Sequence, residues 1–281
     1  MENSENVSPL KKYRRQPKLF IDIPSGGKYT PANTFYNDTT SQLAVFSMTA
    51  NDEILFKTPD ALVSGSATVQ NIQSCIPSIT NPWNLVTLDI DSVLIAIRMA
   101  TYGPTMNVNS KCPKCRVENT YEIDLQSFIQ HYQTCVYKDT LQVENFTIKT
   151  RPITYKEMTE NQKQTIAFQR AINIEVPKIK DEKERETATE TLLNQIANQA
   201  VKLIYASIAS VEVDGEIETN PKEIEEWVEG NDVSIFRAVK NHIEENSRTW
   251  RIPLKDVQCG ECEHKFKINV SLDQSDFFGK G

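Results

Sequence analysis

Four of the six cysteines in the chain fall into two pairs of identical spacing, Cys112-Pro113-Lys114-Cys115 and Cys259-Gly260-Glu261-Cys262. Two residues between cysteines make a tight turn that aims both sulfurs at one point, where turn amides donate hydrogen bonds to them. Pro113 and Gly260 suit that turn. Taken singly, a Cys-x-x-Cys pair also fits a redox couple or two unrelated thiols. Two pairs, 143 residues apart, supply the four thiolates of one tetrahedral Zn2+ site. Catalytic zinc keeps a position open for water, whereas four cysteines close the shell, so the expected ion is structural and contributes folding energy. His264, just beyond Cys262, is a weaker candidate to replace a thiolate, because it sits on the strand after the turn.

Alternating residues flank each pair: Met106 to Lys111 and Val117 to Ile123 around the first, Arg251 to Val257 and His264 to Val270 around the second. These read as strands, so the expected fold is α+β, a split zinc-ribbon-like pair of β hairpins with N-terminal helices and a mostly helical insertion. Four segments follow: a basic arm and irregular stretch over 1–36, a helical core with the first cysteine turn over 37–142, the insertion over 143–250, and the second cysteine turn with an aromatic tail over 251–281.

Within those segments, Phe20 to Tyr36 is punctuated by Pro24, Gly26, Gly27 and Pro31 and predicts a loop with short extended pieces. Thr58-Pro59-Asp60 opens a short helix that Gly65 ends, and a second helix over Thr68 to Ile76 stops at Pro77. The clearest helix carries Asp89 and Asp91 in its first turn and closes at Gly103-Pro104. Apolar residues surround it almost completely, so it should be buried, and Arg98 then needs a partner: Asp89, Asp91 or a surface outside the domain. In the insertion, Val143 to Thr150 reads as a strand. Thr154 to Ala171 is a helix opened by a capping pattern, and Glu175 to Arg185 is a charged connection. Glu186 to Tyr205 is a second amphipathic helix, Asp214-Gly215 is a hairpin turn between Ile208–Val213 and 216–218, and Pro221 to Glu229 and Val233 to Asn246 are helices.

The chain has 281 residues, 39% hydrophobic and 25% charged, with a net charge of −7. That suits one or two soluble domains. The longest apolar run, Val93 to Ile97, is too short to cross a bilayer. Met1 to Ser8 is polar and leads into no apolar segment, so a reducing compartment is expected and a disulfide framework is not. Charge is unevenly spread: residues 1–18 carry a net +3, and 211–232 hold nine acids against Lys222, a net −8. The acidic segment is a solvated face or an interface with a basic neighbour. The candidate partner-binding residues are Lys11, Lys12, Arg14 and Arg15 of the arm, with Tyr13, Leu19 and Phe20 as anchors, and Phe277 and Phe278, whose alternative is to fold back onto the ribbon.

No Walker loop, dinucleotide fingerprint, nucleophile elbow or His-Glu-x-x-His occurs, and the acids lie in charged stretches rather than among apolar residues that would raise a pKa. No catalytic residue is assigned. His131 and Cys135, four apart, could face one metal but have no further ligands in sequence, and Cys75 reads as a small buried hydrophobe. A zinc-ribbon nucleic-acid-binding protein is the alternative reading: Lys111, Lys114 and Arg116 around the first turn fit it, while Glu261, Glu263 and the net charge oppose it. A zinc hydrolase is weaker still, for want of an open ligand position.

The stretch from Pro82-Trp83-Asn84-Leu85 through Leu88-Asp89-Ile90-Asp91, Leu94 to Gly103 and Cys112-Pro113-Lys114-Cys115 into Asn119 to Leu125 resembles the baseplate hub assembly proteins of T-even-like contractile-tailed phages. The opening Ile23-Pro24-Ser25-Gly26-Gly27-Lys28-Tyr29 is similar too, and the resemblance returns over Cys259 to Phe278 while fading across the inserted helices. It implies a viral late protein of the contractile tail without enzymatic activity, acting in the baseplate hub as an assembly factor or a retained part. Other hub or tail proteins would be its partners, and its place the virion tail baseplate or the host cytoplasm during assembly.

Overall fold

The computed structural model describes Leu10, residues 13–272 and Phe277–Phe278. Lys11 and Lys12 lie outside the described residues. The punctuated stretch Phe20 to Tyr36 is mostly turns and loop, as its prolines and glycines predict, but where it begins β1 (Pro17–Ile21) pairs antiparallel with β2 (Leu43–Phe46), a strand that the sequence reading missed. Their inward residues Ile21, Leu43 and Val45 are buried, so the arm's root belongs to the core rather than to a separate segment.

Three short helices follow: α1 (Ala50–Phe56), α2 (Pro59–Val63) and α3 (Ser66–Cys75). Thr49 and Asp52 form a full capping box at the start of α1, each side chain receiving the other's backbone amide, which satisfies two donors that a helix leaves orphaned. Helix α4 (Thr87–Tyr102) runs through the centre with ten buried residues, as its nearly continuous apolar surface requires. Of the two acids assigned to its first turn, only Asp89 lies there. Asp91 is half a turn further on and accepts a hydrogen bond from the Tyr132 hydroxyl at 3.2 Å.

A seven-residue antiparallel pair, β3 (Thr105–Lys111) and β4 (Glu118–Asp124), leads into α5 (Gln126–Thr134). Its counterpart is the shorter pair β9 (Lys255–Gln258) and β10 (Lys265–Ile268). Between them, β5 (Thr140–Val143) and β6 (Phe146–Thr150) make a hairpin where a single strand was expected, because Glu144 adopts a left-handed φ of 53° and reverses the chain.

The antiparallel helices α6 (Tyr155–Arg170) and α7 (Glu182–Ala206) then project together, and none of α7 is buried. Strand β7 (Ile208–Val213) returns to pair with β6 across this excursion, and β8 (Glu216–Glu218) completes a four-stranded sheet in the order β5-β6-β7-β8. Helices α8 (Pro221–Gly230) and α9 (Val233–Thr249) cover it.

Among the described residues two apolar cores result. The larger joins β1, β2, α1 to α5 and the last two strands; the smaller packs Ile148 and Val211 of the sheet against Ile224, Val228, Ile235 and Val239. Residues 150–159 stitch one to the other. Thr87 donates to Ile153 O and Tyr155 to Leu85 O, while Gly65, at φ 74°, lets Thr159 approach so closely that a Cβ would stand 2.9 Å from its methyl.

Candidate metal centre and the surfaces around it

Past Lys111 the chain turns over Cys112 to Val117. Cys112 N donates to Val117 O and Arg116 N to Cys112 O, both at 2.9 Å, and Arg116 sits at φ 62°. The second turn repeats this geometry: Cys259 N donates to His264 O and Glu263 N to Cys259 O, both at 3.0 Å, with Glu263 at φ 54°. A left-handed conformation costs a residue with a Cβ about 1 kcal/mol. Two unrelated side chains accept it at equivalent positions because the turn is what directs both cysteines.

The two turns face each other crosswise. Cys112 Sγ lies 3.7 Å from Cys262 Sγ and Cys115 Sγ 3.6 Å from Cys259 Sγ, and all four sulfurs fall within 4.8 Å of one another. Disulfides need about 2 Å, and all six cysteines are free. A tetrahedral shell with metal–sulfur bonds of about 2.3 Å places its sulfurs about 3.8 Å apart, so the group fits a four-thiolate metal ion. Cys112 and Cys259 are buried, their partners half-buried.

The electrostatics match that fit. Burial opposes ionisation of the Cys112 thiol, but the amides of Cys115 and Lys114 outweigh it and draw its pKa down. The amides of Cys262 and Glu261 bring Cys259 to about 6, with burial acting against them. Cys115 also receives an amide, from Val117, yet burial and the neighbouring thiols push it up to about 12. Four thiolates this close repel, and a divalent cation is what removes that penalty. Asn119 adds a donor, its Nδ2 lying 3.5 Å from Cys259 Sγ. A Cβ on Gly260 would stand 3.3 Å from Asn119 Oδ1, so glycine makes room for this contact.

The hairpins also meet through side chains. Tyr121 of β4 packs edge-on against Phe266 of β10 at 6.0 Å between centroids, and His264 stacks on Phe266, outside the sulfur group. Lys111, Lys114 and Arg116 are exposed around one turn, Glu261 and Glu263 around the other.

His131 and Cys135 are adjacent, Nε2 to Sγ 3.6 Å, but both are engaged in stitching α5 to the end of α9: the His131 ring contacts Arg251 O and the Cys135 thiol donates to Thr249 O. Burial pushes the Cys75 thiol up to about 12, as for a small hydrophobe.

The candidate partner-binding residues divide. Arg14 is exposed. Arg15 is held within the chain, donating to Ser47 O, Ser74 O and Ser74 Oγ, with Asp52 at 3.8 Å. Phe277 and Phe278 are 1% and 3% exposed, so they sit in the chain's own core rather than presenting a free aromatic plug, and they fold onto α1 and α4 instead of the ribbon. This supplies the partner that Arg98 needs: its guanidinium donates to Phe277 O and lies over the rings of Phe277 and Tyr102 at 5.0 and 5.1 Å. Neither Asp89 nor Asp91 serves. Asp89, buried, accepts from Ser25 N at 2.9 Å and from Ser25 Oγ at 2.6 Å, tying the Pro24-Ser25-Gly26-Gly27 turn to α4. Sequence reading missed that role, because the two residues are 64 positions apart.

Among the described residues no helix is long and apolar enough to cross a membrane. Comparison with curated proteins finds no match, and comparison with solved structures finds none either. A family model does match, over residues 17–279, from the root of the N-terminal arm to the tail that seals the larger core, and by that match the chain belongs to the family of T4 bacteriophage base plate proteins.

Proposed function

We propose that the chain is a non-enzymatic component or assembly factor of the baseplate hub of a contractile phage tail, working through contacts with other tail proteins. Family membership over nearly the whole chain supports a structural baseplate role. In this reading Cys112, Cys115, Cys259 and Cys262 hold one Zn2+, whose chemistry is to neutralise four thiolates and fix two hairpins that are far apart in sequence. The observation that carries the clamp is the crosswise sulfur group, at 3.6 and 3.7 Å.

The hub role is tested in the virus. Loss of the protein should stop baseplates from forming, and fractionation of purified tails should show whether it stays in the particle. Normal infectious particles assembled without it would overturn the proposal.

A further inference from the structure

The insertion carries an acidic rim around an apolar groove. Nine acids from Glu212 to Asp232 lie on or beside β7, β8 and α8, and among the described residues none of them makes an ion pair within 4.0 Å. Between the outer end of the sheet and α8 is a groove of about 310 Å³, lined by Phe146, Ile217 and Trp227 with Glu216, Glu218 and Glu223. Ile217 is 63% exposed, on a strand with no neighbour on its outer edge among the described residues. An ordinary solvated acidic face has no such apolar centre. The groove is at the small end of the range for ligand pockets, the size for anchoring side chains.

The same chain contains the complementary chemistry. Leu10-Lys11-Lys12-Tyr13-Arg14 interleaves three cations with two apolar residues, and Leu10 and Tyr13 are 70% and 74% exposed. Arg15, bonded to Ser47 and Ser74, fixes the root of this segment on the larger core.

We propose that the acidic groove of one copy receives the Leu10 to Arg14 segment of a second copy, with Leu10 and Tyr13 entering between Ile217 and Trp227 and the cations meeting the glutamates. Arm and groove are different surfaces, so copies join either by reciprocal exchange in a two-fold dimer or head to tail in a ring or an open chain. It depends neither on the metal centre nor on the hub reading.

Sedimentation of the full chain at low salt and at about 1 M salt, where the screening length falls to about 3 Å, tests this. Concentration-dependent association at low salt should weaken at least tenfold at high salt. The Glu216→Lys/Glu218→Lys/Glu223→Lys variant and the Lys11→Glu/Lys12→Glu/Arg14→Glu variant should each be monomeric, and mixing the two should restore association. Circular dichroism checks that each is folded; Ile217→Ser, with every charge retained, should also weaken the contact. A monomer at all concentrations, association indifferent to both reversals, or cross-links joining arm and groove of one chain would each overturn the proposal.

Discussion

The ring of Phe278 lies parallel to that of Phe56, 4.2 Å away between centroids with an interplanar angle of 2°. Through this stack a residue of the C-terminal tail becomes part of the core built by the first helices. Deleting a buried phenylalanine side chain typically costs about 3–5 kcal/mol. Phe278→Ala and Phe56→Ala should therefore each lower stability by about 3 kcal/mol in urea unfolding, and together by less than their sum, because aromatic pairs carry a coupling of about 0.5–1.5 kcal/mol.

Metal content is the direct check on the sulfur group. Purified protein should contain about one zinc per chain, as a four-cysteine site requires. Cys262→Ser should lose it, and chelation should lower the thermal midpoint of the natural chain while leaving that variant nearly unaffected. A well-folded, metal-free protein whose four thiols are reduced would falsify the clamp.

Asp89 predicts an acid-side pH dependence. Burial raises its pKa to about 6, although the Ser25 hydrogen bonds pull the other way. Because the folded value lies above the unfolded one, its contribution is fully present below about pH 4 and is lost as pH rises through about 6. Asp89→Asn, which can still accept from Ser25 N, should flatten that part of the stability profile by on the order of 2 kcal/mol.

Gly65→Ala tests the seam between the two cores. The position combines a left-handed φ with a 2.9 Å approach to Thr159 Cγ2 and 3.2 Å to the Trp83 ring. A loss of about 1–3 kcal/mol is expected from overpacking and strain, and the paired change Gly65→Ala/Thr159→Ser should recover part of it.

What could be read in advance follows from how local each cause is. The cysteine turns, the capping pattern at Thr154 and the Asp214-Gly215 hairpin are specified within a few residues, so spacing alone revealed them. Strand β2 is only four residues long, and its partner β1 lies beside a run of prolines and glycines, so neither stood out. The crosswise pairing of Cys112 with Cys262, the bond from Asn119 to Cys259 and the grip of Asp89 on Ser25 join distant positions. No periodicity encodes such contacts; they arise only when the hairpins and helices dock. The destination of Phe277 and Phe278 was hidden for the same reason, since two phenylalanines in a polar tail are equally suited to an internal slot and to a partner's.

The return of β6 to β7 around the α6–α7 excursion, together with the docking of Phe277 and Phe278 on Phe56 and Arg98, has a temporal meaning. Phe56 and Arg98 cannot complete their packing until Phe277 and Phe278 are available, so closure of a loop of about two hundred residues precedes the reward. A chain cut before Phe277 therefore lacks the two side chains that close the larger core over Phe56 and Arg98.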